Sequence, residues 1–215
     1  MSEPAYWDGD HPDHGNMVQR VSEQFEQAQA DKPAAEDDPG PDMAWFDAIA
    51  DAERSGKDGW EKWNKAGGGI GALGRYQVRK AALKDAGFLD KNGKWTGKGD
   101  AWNIEGFLKN PSAQNMALRD YSAALDRQIK SKGLESRIGQ TIKGVLADIE
   151  VTQSGLAAAA HRHGAGGVRE YFRWLDEHQG NSRDHLAQMT DHLKEIESRL
   201  RTFQNVPYKN RPMAR

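Results

Sequence analysis

Trp45, Ile49 and Glu53 are spaced i, i+4, i+8, so a helix through them places the Glu53 carboxyl on a stripe of large apolar groups. Apolar neighbours disfavour the charged form of a carboxyl. Gly56 and Gly59 predict that the helix ends just after Glu53, where the negative end of its macrodipole acts in the same direction. An acid kept protonated near neutral pH can protonate a leaving oxygen, which is what glycosidic cleavage requires. The plainer reading is a last-turn Glu that is solvated or salt-bridged to Arg54 or Lys57. Glycosidases often pair two acids across the bond. Asp58, Glu61 and Asp100 are available for that role by residue type, but none stands on a motif.

Aromatic side chains are the second group with chemistry to offer. Trp60 and Trp63 lie in a polar, loop-like stretch, where indole faces can stack on sugar rings. Trp95 and Trp102 read as packing, because each large ring buries much apolar area. His11 and His14 stand among three aspartates in DGDHPDHG, a spacing conceivable for a metal but better explained as a solvated tail. No metal and no cofactor is expected.

The elements that must position these residues can be read from periodicity. Asn16 is a candidate cap for a helix carrying Val18, Val21, Phe25 and Ala28, within an N-terminal appendage of residues 1–30. Residues 31–41, with three prolines and four acids, read as a linker. The main domain is expected over 42–205, with 206–215 as a tail. It opens with Asp42 as a cap and Trp45, Phe46, Ile49, Ala52 and Glu53 on one helical face. The glycines of 67–74 exclude a regular helix. A short helix over 78–86 follows, and then an Asn92-Gly93 turn suited to a tight hairpin. Asn110-Pro111 should cap and begin a long helix to about Lys130, with Met116, Tyr121, Ala124, Leu125 and Ile129 inward. Helices are expected near 137–148 and 153–163, the second stopped by Gly164, and another over 167–177. In the last helix, 183–203, the apolar residues Leu186, Met189, Leu193, Ile196, Leu200 and Phe203 recur at core spacing. The fold class is therefore mainly α (α+β), a helical domain with a small β-hairpin element around 67–98.

Composition narrows the partners. With 37% hydrophobic residues the chain can bury a core for roughly 130–160 residues but not two large ones. The formal charge is −2 and no long basic run exists, which argues against a nucleic-acid binder. The lack of cysteine excludes disulfides and thiolate metal sites. No apolar stretch approaches the ~20 residues that span a bilayer. The N-terminal MSEPAYWDGDHPDHG has neither a basic n-region nor an apolar h-region, so the expectation is a chain made in the cytoplasm without an ordinary signal peptide.

The segment AERSGKDGWEKWNKAGGGIGALGRYQVRKAALKDAGFL, residues 52–89, resembles the catalytic core of lysozyme-like lytic transglycosylases and phage muramidases. That family's pattern is a helix-terminal Glu followed by Ser, then a glycine-rich turn into G-x-x-Q, matched by Glu53, Ser55 and Gly74-Arg75-Tyr76-Gln77. NGKWTGK, FLKNPSAQNMA and TQSGLAAAAHRHGAGGV resemble a branch found in phage lysis proteins and interbacterial toxin effectors, so the likeness spans roughly 43–178. The resemblance implies a lysozyme-like fold with Glu53 as general acid and later base, Gln77 lining the sugar groove and Tyr76 beside it. Ser55, Trp60 and Trp63 join them as candidate substrate-binding residues. The segment from His161 to Gly166 falls where lytic transglycosylases carry A-Y-N-x-G. His161 replaces the tyrosine, a departure, and is assigned a hydrogen bond to the substrate's 2-acetamido group. A histidine on an inward-packing helix is otherwise a structural residue.

Single-acid chemistry, completed by the substrate's own acetamido or 6-hydroxyl group, fits the missing second carboxylate. The implied substrate is the peptidoglycan glycan strand. The implied setting is a delivered antibacterial effector, such as a type VI secretion effector, acting in the target-cell periplasm, with a carrier in the secretion machine and a cognate immunity protein. The alternatives are a phage endolysin or virion muramidase, a chitin-type hydrolase, and a non-catalytic wall-binding or adaptor module of the same shape. HPDH also resembles a short motif of recognition domains in type IV secretion effectors, although there it lies C-terminal to the toxin.

Overall fold

A computed structural model describes residues 43–65, 69–145, 147–178 and 189–208. The expected N-terminal helix, the 31–41 linker, the Asp42 cap, His11, His14 and Leu186 lie outside the described residues. What is described is mainly helical with small antiparallel sheets, as the composition of the periodic segments requires. Among the described residues no helix is long and apolar enough to cross a membrane.

Helix α1 (Met43–Ala52) buries Trp45, Phe46 and Ile49 as anticipated, but Ala50 takes the buried place expected for Ala52, which is exposed. Its end is built from hydrogen bonds, with Ser55 N donating to Ala50 O and Arg54 N to Asp51 O, both at 2.9 Å. This is the Schellman arrangement, with Glu53 as the last capping residue. Arg54 occupies the left-handed position at φ 53°, where glycine is usual. Gly56 and Gly59 follow the stop without making it.

A three-stranded antiparallel sheet comes next, in the order β1 (Trp63–Asn64), β2 (Ala72–Leu73), β3 (Val78–Arg79). Trp63 pairs with Leu73 and Leu73 with Val78. The helix expected from Val78 starts two residues later, as α2 (Lys80–Asp85), because Val78 and Arg79 are taken into the sheet. The Asn92-Gly93 turn closes a loop in which Asp90 Oδ1 accepts from the N–H of Asn92 and Lys94, and Leu89 bridges Trp95.

Three further helices start on a side-chain cap, of which the Asn110 one was anticipated. In α3 (Ile104–Leu108) the Asn103 side chain accepts from Gly106 N. In α4 (Pro111–Ser131) Asn110 accepts from Ala113 N, with Pro111 at the first turn. In α5 (Gln153–Glu177) Thr152 accepts from Gly155 N. Gly164 kinks α5 at φ 71°, ψ 157° rather than ending it, and the helix resumes at once. The segment expected as a helix near 137–148 is instead a hairpin, β4 (Thr141–Lys143) with β5 (Asp148–Glu150). Its residues alternate exposed, buried, exposed, and Ile142 faces Ile149 across the register. A two-residue period with β-branched residues inside outweighs the helical reading.

The last helix is α6 (Asp191–Phe203), capped by Thr190, and it buries Leu193, Ile196, Leu200 and Phe203. It packs on α5, whose Leu156 to Ala160 run is fully buried. Four successive alanines there bring α4 and α6 close to the α5 backbone. Trp45 makes edge contacts with Phe46, Phe203 and Tyr208, tying α1 to the end of the chain. Tyr208 is buried and its hydroxyl donates to Asp126 Oδ1 at 3.0 Å, so the packed domain runs through Tyr208 and the expected boundary at 205 falls short.

Candidate active site

Glu53 is carried to its place by the C-terminal end of α1. Ile49 and Trp45 are fully buried beneath it, yet the carboxylate turns away from that apolar stripe. Glu53 Oε1 accepts from Arg199 Nη2 at 2.7 Å, with the two side chains 7% and 8% exposed. Arg162 Nη1 stands 3.8 Å from Oε2, and His161 Nε2 stands 3.9 Å from Oε1. The expectation of apolar walls around this carboxyl is corrected: the walls are cationic, and they come from α5 and α6. The plainer expectation, an ion-paired Glu53, is right in kind but not in partner, since Arg199 holds it rather than Arg54 or Lys57.

The helix end is also satisfied differently from the expectation. Lys62 Nζ donates to the carbonyl oxygens of Glu53 at 2.8 Å and Arg54 at 3.1 Å. A cation on the last carbonyls offsets the negative end of the helix.

A cleft of about 860 Å³ opens beside Glu53, of a size that takes a ligand of several rings. Gln77 lines it together with Glu53, Arg54, Lys62 and Asn64. Gln77 has φ 49°, and its amide Nε2 donates to Gly74 O at 2.8 Å. Gly74 itself, at φ 70°, lies so close to Gln114 that a Cβ would come within 2.0 Å of Oε1. Gln114 is buried at 1% exposure. It accepts from Arg75 N and donates to the carbonyls of Trp60, Phe107 and Leu108, fixing the turn from behind. Among the described residues, two of the three non-glycine residues with positive φ, Arg54 and Gln77, therefore line this cleft. Such conformations cost about 1 kcal/mol or more each and persist where the surroundings hold them.

The other expected site residues are placed elsewhere. Tyr76 is fully buried, stacks edgewise on Phe46 and Trp60, and donates its hydroxyl proton to Asn115 Oδ1 at 2.6 Å. Burial pushes the Tyr76 hydroxyl up to about 12. It is scaffold, not groove lining. Trp60 is partly buried against the core, with the Arg75 guanidinium over its ring. Ser55 belongs to the loop: its hydroxyl meets Lys62 Nζ at 3.3 Å and Glu53 O at 3.4 Å. Gly166 is exposed beside Arg169 and Arg173, outside the cleft.

Trp63 lines a second, apolar groove with Trp95, Ile104 and Leu108, on the other side of β1. Trp102 is 68% exposed, so its expected packing role is corrected, whereas Trp95 does pack on Phe107.

His161 is corrected in the same way. Its side chain is 3% exposed, and Nε2 lies 3.0 Å from Tyr76 O. Burial lowers its pKa to about 4, despite the nearby Glu53 carboxylate, so the ring is neutral at pH 7. A carbonyl only accepts, so Nε2 carries the proton and Nδ1 is the bare nitrogen, buried without a hydrogen-bond partner. His161 thus ties the Gly74–Gln77 turn to α5 behind Glu53, out of reach of a substrate acetamido group.

Among the candidate second acids, Asp58 precedes a short 3-10 turn without a capping hydrogen bond, Glu61 lines the apolar groove and Asp100 sits at another 3-10 turn. None lines the cleft. The carboxylate that does is Glu195, paired through Oε1 with Arg162 at 3.1 Å and lying with Oε2 3.1 Å from His163 Nε2. Glu195, Arg199 and Arg162 are the site residues that sequence reasoning missed. Their signal was present: Glu195 and Arg199 are four apart on the flank of an apolar stripe, so they share one side of α6.

Compared with known proteins, the chain matches no family model, no curated protein and no solved structure.

Proposed function

We propose that the chain cleaves the β-1,4 bond between MurNAc and GlcNAc in peptidoglycan strands, as a lytic transglycosylase or muramidase with Glu53 as its proton-transfer group. The observation that carries this reading is a shielded carboxylate at a helix end, facing a cleft of sugar-chain size that Gln77 also lines.

The geometry supports a definite division of labour. Arg199 holds Oε1 of Glu53 by a hydrogen bond, and Oε2, with Arg162 Nη1 3.8 Å away, is the oxygen that takes up and delivers a proton. When Glu53 gives that proton to the glycosidic oxygen it becomes an anion, and Arg199 is already in place to stabilise it. The same anion can then accept a proton from water or from the sugar's 6-hydroxyl. Lys62, Ser55 and His161 hold the backbone on either side and are positioning residues.

Incubating purified sacculi with wild type and Glu53→Gln, then analysing released muropeptides by mass spectrometry, tests the assignment. Release by wild type and its loss in the variant is the expected result; unchanged release ends the reading. Anhydro ends would mark a transglycosylase and reducing ends a hydrolase. A non-catalytic wall-binding module is the second reading, favoured by the Glu53–Arg199 ion pair, a contact that a structural carboxylate also makes. It predicts binding to sacculi without release. An effector role further implies an immunity protein that plugs the cleft; failure of every neighbouring reading frame's product to block release would remove that idea.

A further inference from the structure

The charges lining the cleft do not mirror the chain. Overall, 30 basic residues face 32 acids. Around the cleft stand Arg54, Lys62, Arg79, Lys80, Arg162 and Arg199 against Glu53 and Glu195 alone. The two carboxylates are already taken by Arg199 and Arg162. Arg54, Lys62, Arg79 and Lys80 have no carboxylate in salt-bridge range among the described residues, and Lys62 spends its donors on neutral oxygens. At the floor, Arg199 Nη1 is buried with no hydrogen-bond partner while Nη2 holds Glu53. A buried guanidinium nitrogen without an acceptor is costly, and like charges gathered in one cleft repel. The gathered positive charge is relieved by an anionic group on the ligand.

We propose that this cationic cleft recognises the carboxylates of the peptide stems, so that the preferred substrate is peptide-bearing glycan rather than bare glycan or neutral chitin. This rests on the reading of the Glu53 cleft as a peptidoglycan-binding site. The cations come from the end of α1, the residue before β1, the β3–α2 junction, α5 and α6, and they line the same cleft as the shielded Glu53 and the more exposed Glu195. A neutral sugar backbone can pass over Glu53 while its pendant carboxylates reach Arg79 and Lys80. A nucleic acid carries a charge at every phosphate and would set several against Glu53 and Glu195.

The test is co-sedimentation with intact sacculi and with sacculi stripped of stems by an amidase, using wild type and Arg79→Gln/Lys80→Gln, with oligothymidine as competitor. Wild type should prefer intact sacculi. The double variant should bind them roughly three- to tenfold more weakly, the scale of two solvent-facing ion pairs, with an unchanged melting temperature. Equal wild-type binding to both materials, a preference surviving in the variant, or displacement by oligothymidine at matched charge would overturn the proposal. Muropeptide release is scored separately. Stem-dependent binding without release leaves this proposal standing and removes the catalytic one; equal release from both materials does the reverse.

Discussion

Two grooves share strand β1, and residues 61–64 alternate between them. Glu61 and Trp63 line the apolar groove, whereas Lys62 and Asn64 line the Glu53 cleft. Successive strand side chains point to opposite faces, so a one-residue step separates an aromatic surface from a cationic one. The apolar groove holds two indoles, with Trp63 Nε1 donating to Ile70 O at 2.8 Å. The cleft holds strained backbone, ion pairs and a buried histidine behind its wall. Aromatics and acid that are neighbours in sequence therefore do not form one sugar site. Of the two regions, only the cleft joins a shielded carboxylate to charge that awaits a partner.

The largest effect that would sharpen this contrast is on turnover. Glu53→Gln should cut muropeptide release by about 10²- to 10⁴-fold, the usual contribution of a positioned acid or base, as followed by release rates from sacculi. Next comes stability. Arg199→Met leaves a shielded carboxylate without its guanidinium and should cost about 3–5 kcal/mol in urea unfolding. The double variant Glu53→Gln/Arg199→Met should recover much of that loss, and additive losses would show that the two side chains are not coupled.

Acid should act on the cleft side as well. His161 binds its proton near pH 4 when folded and near 6.5 when unfolded, because burial disfavours the charged ring. His163 is lowered to about 4 for the same first reason. As pH falls through this window the unfolded chain takes up protons that the folded chain refuses. Stability is therefore full above about pH 6.5 and declines toward pH 4, with His161 contributing on the order of 3 kcal/mol. Unfolding midpoints at several pH values would check this, and His161→Gln should flatten the slope. The smallest effect is expected across the sheet: Trp63→Ala should leave release within about twofold, as surface changes away from a site usually do. A tenfold loss would instead join the two grooves into one binding path.

Much of this was legible from local pattern. The Trp45–Ile49 face, the Asn110-Pro111 start and the apolar stripe of α6 appear in the structure, and Gly164, expected as a stop, appears as a kink. Each depends on neighbours within a turn or two, where side-chain spacing and cap chemistry decide. The β4–β5 hairpin was not legible as such, because a short apolar run flanked by polar residues suits helix and strand until a partner strand is present. The site was half legible. Glu53 and Gln77 reach the cleft, while Tyr76, Trp60 and His161 go to the core behind it.

By itself, the order of residues determined a mainly helical domain and the position of one carboxylate at the end of its first described helix. Only the tertiary structure decided what surrounds that carboxylate. Arg199 lies 146 residues away along the chain. Spacing rules reach only a few residues along a helix or strand, whereas electrostatic surroundings are set by whichever elements pack together.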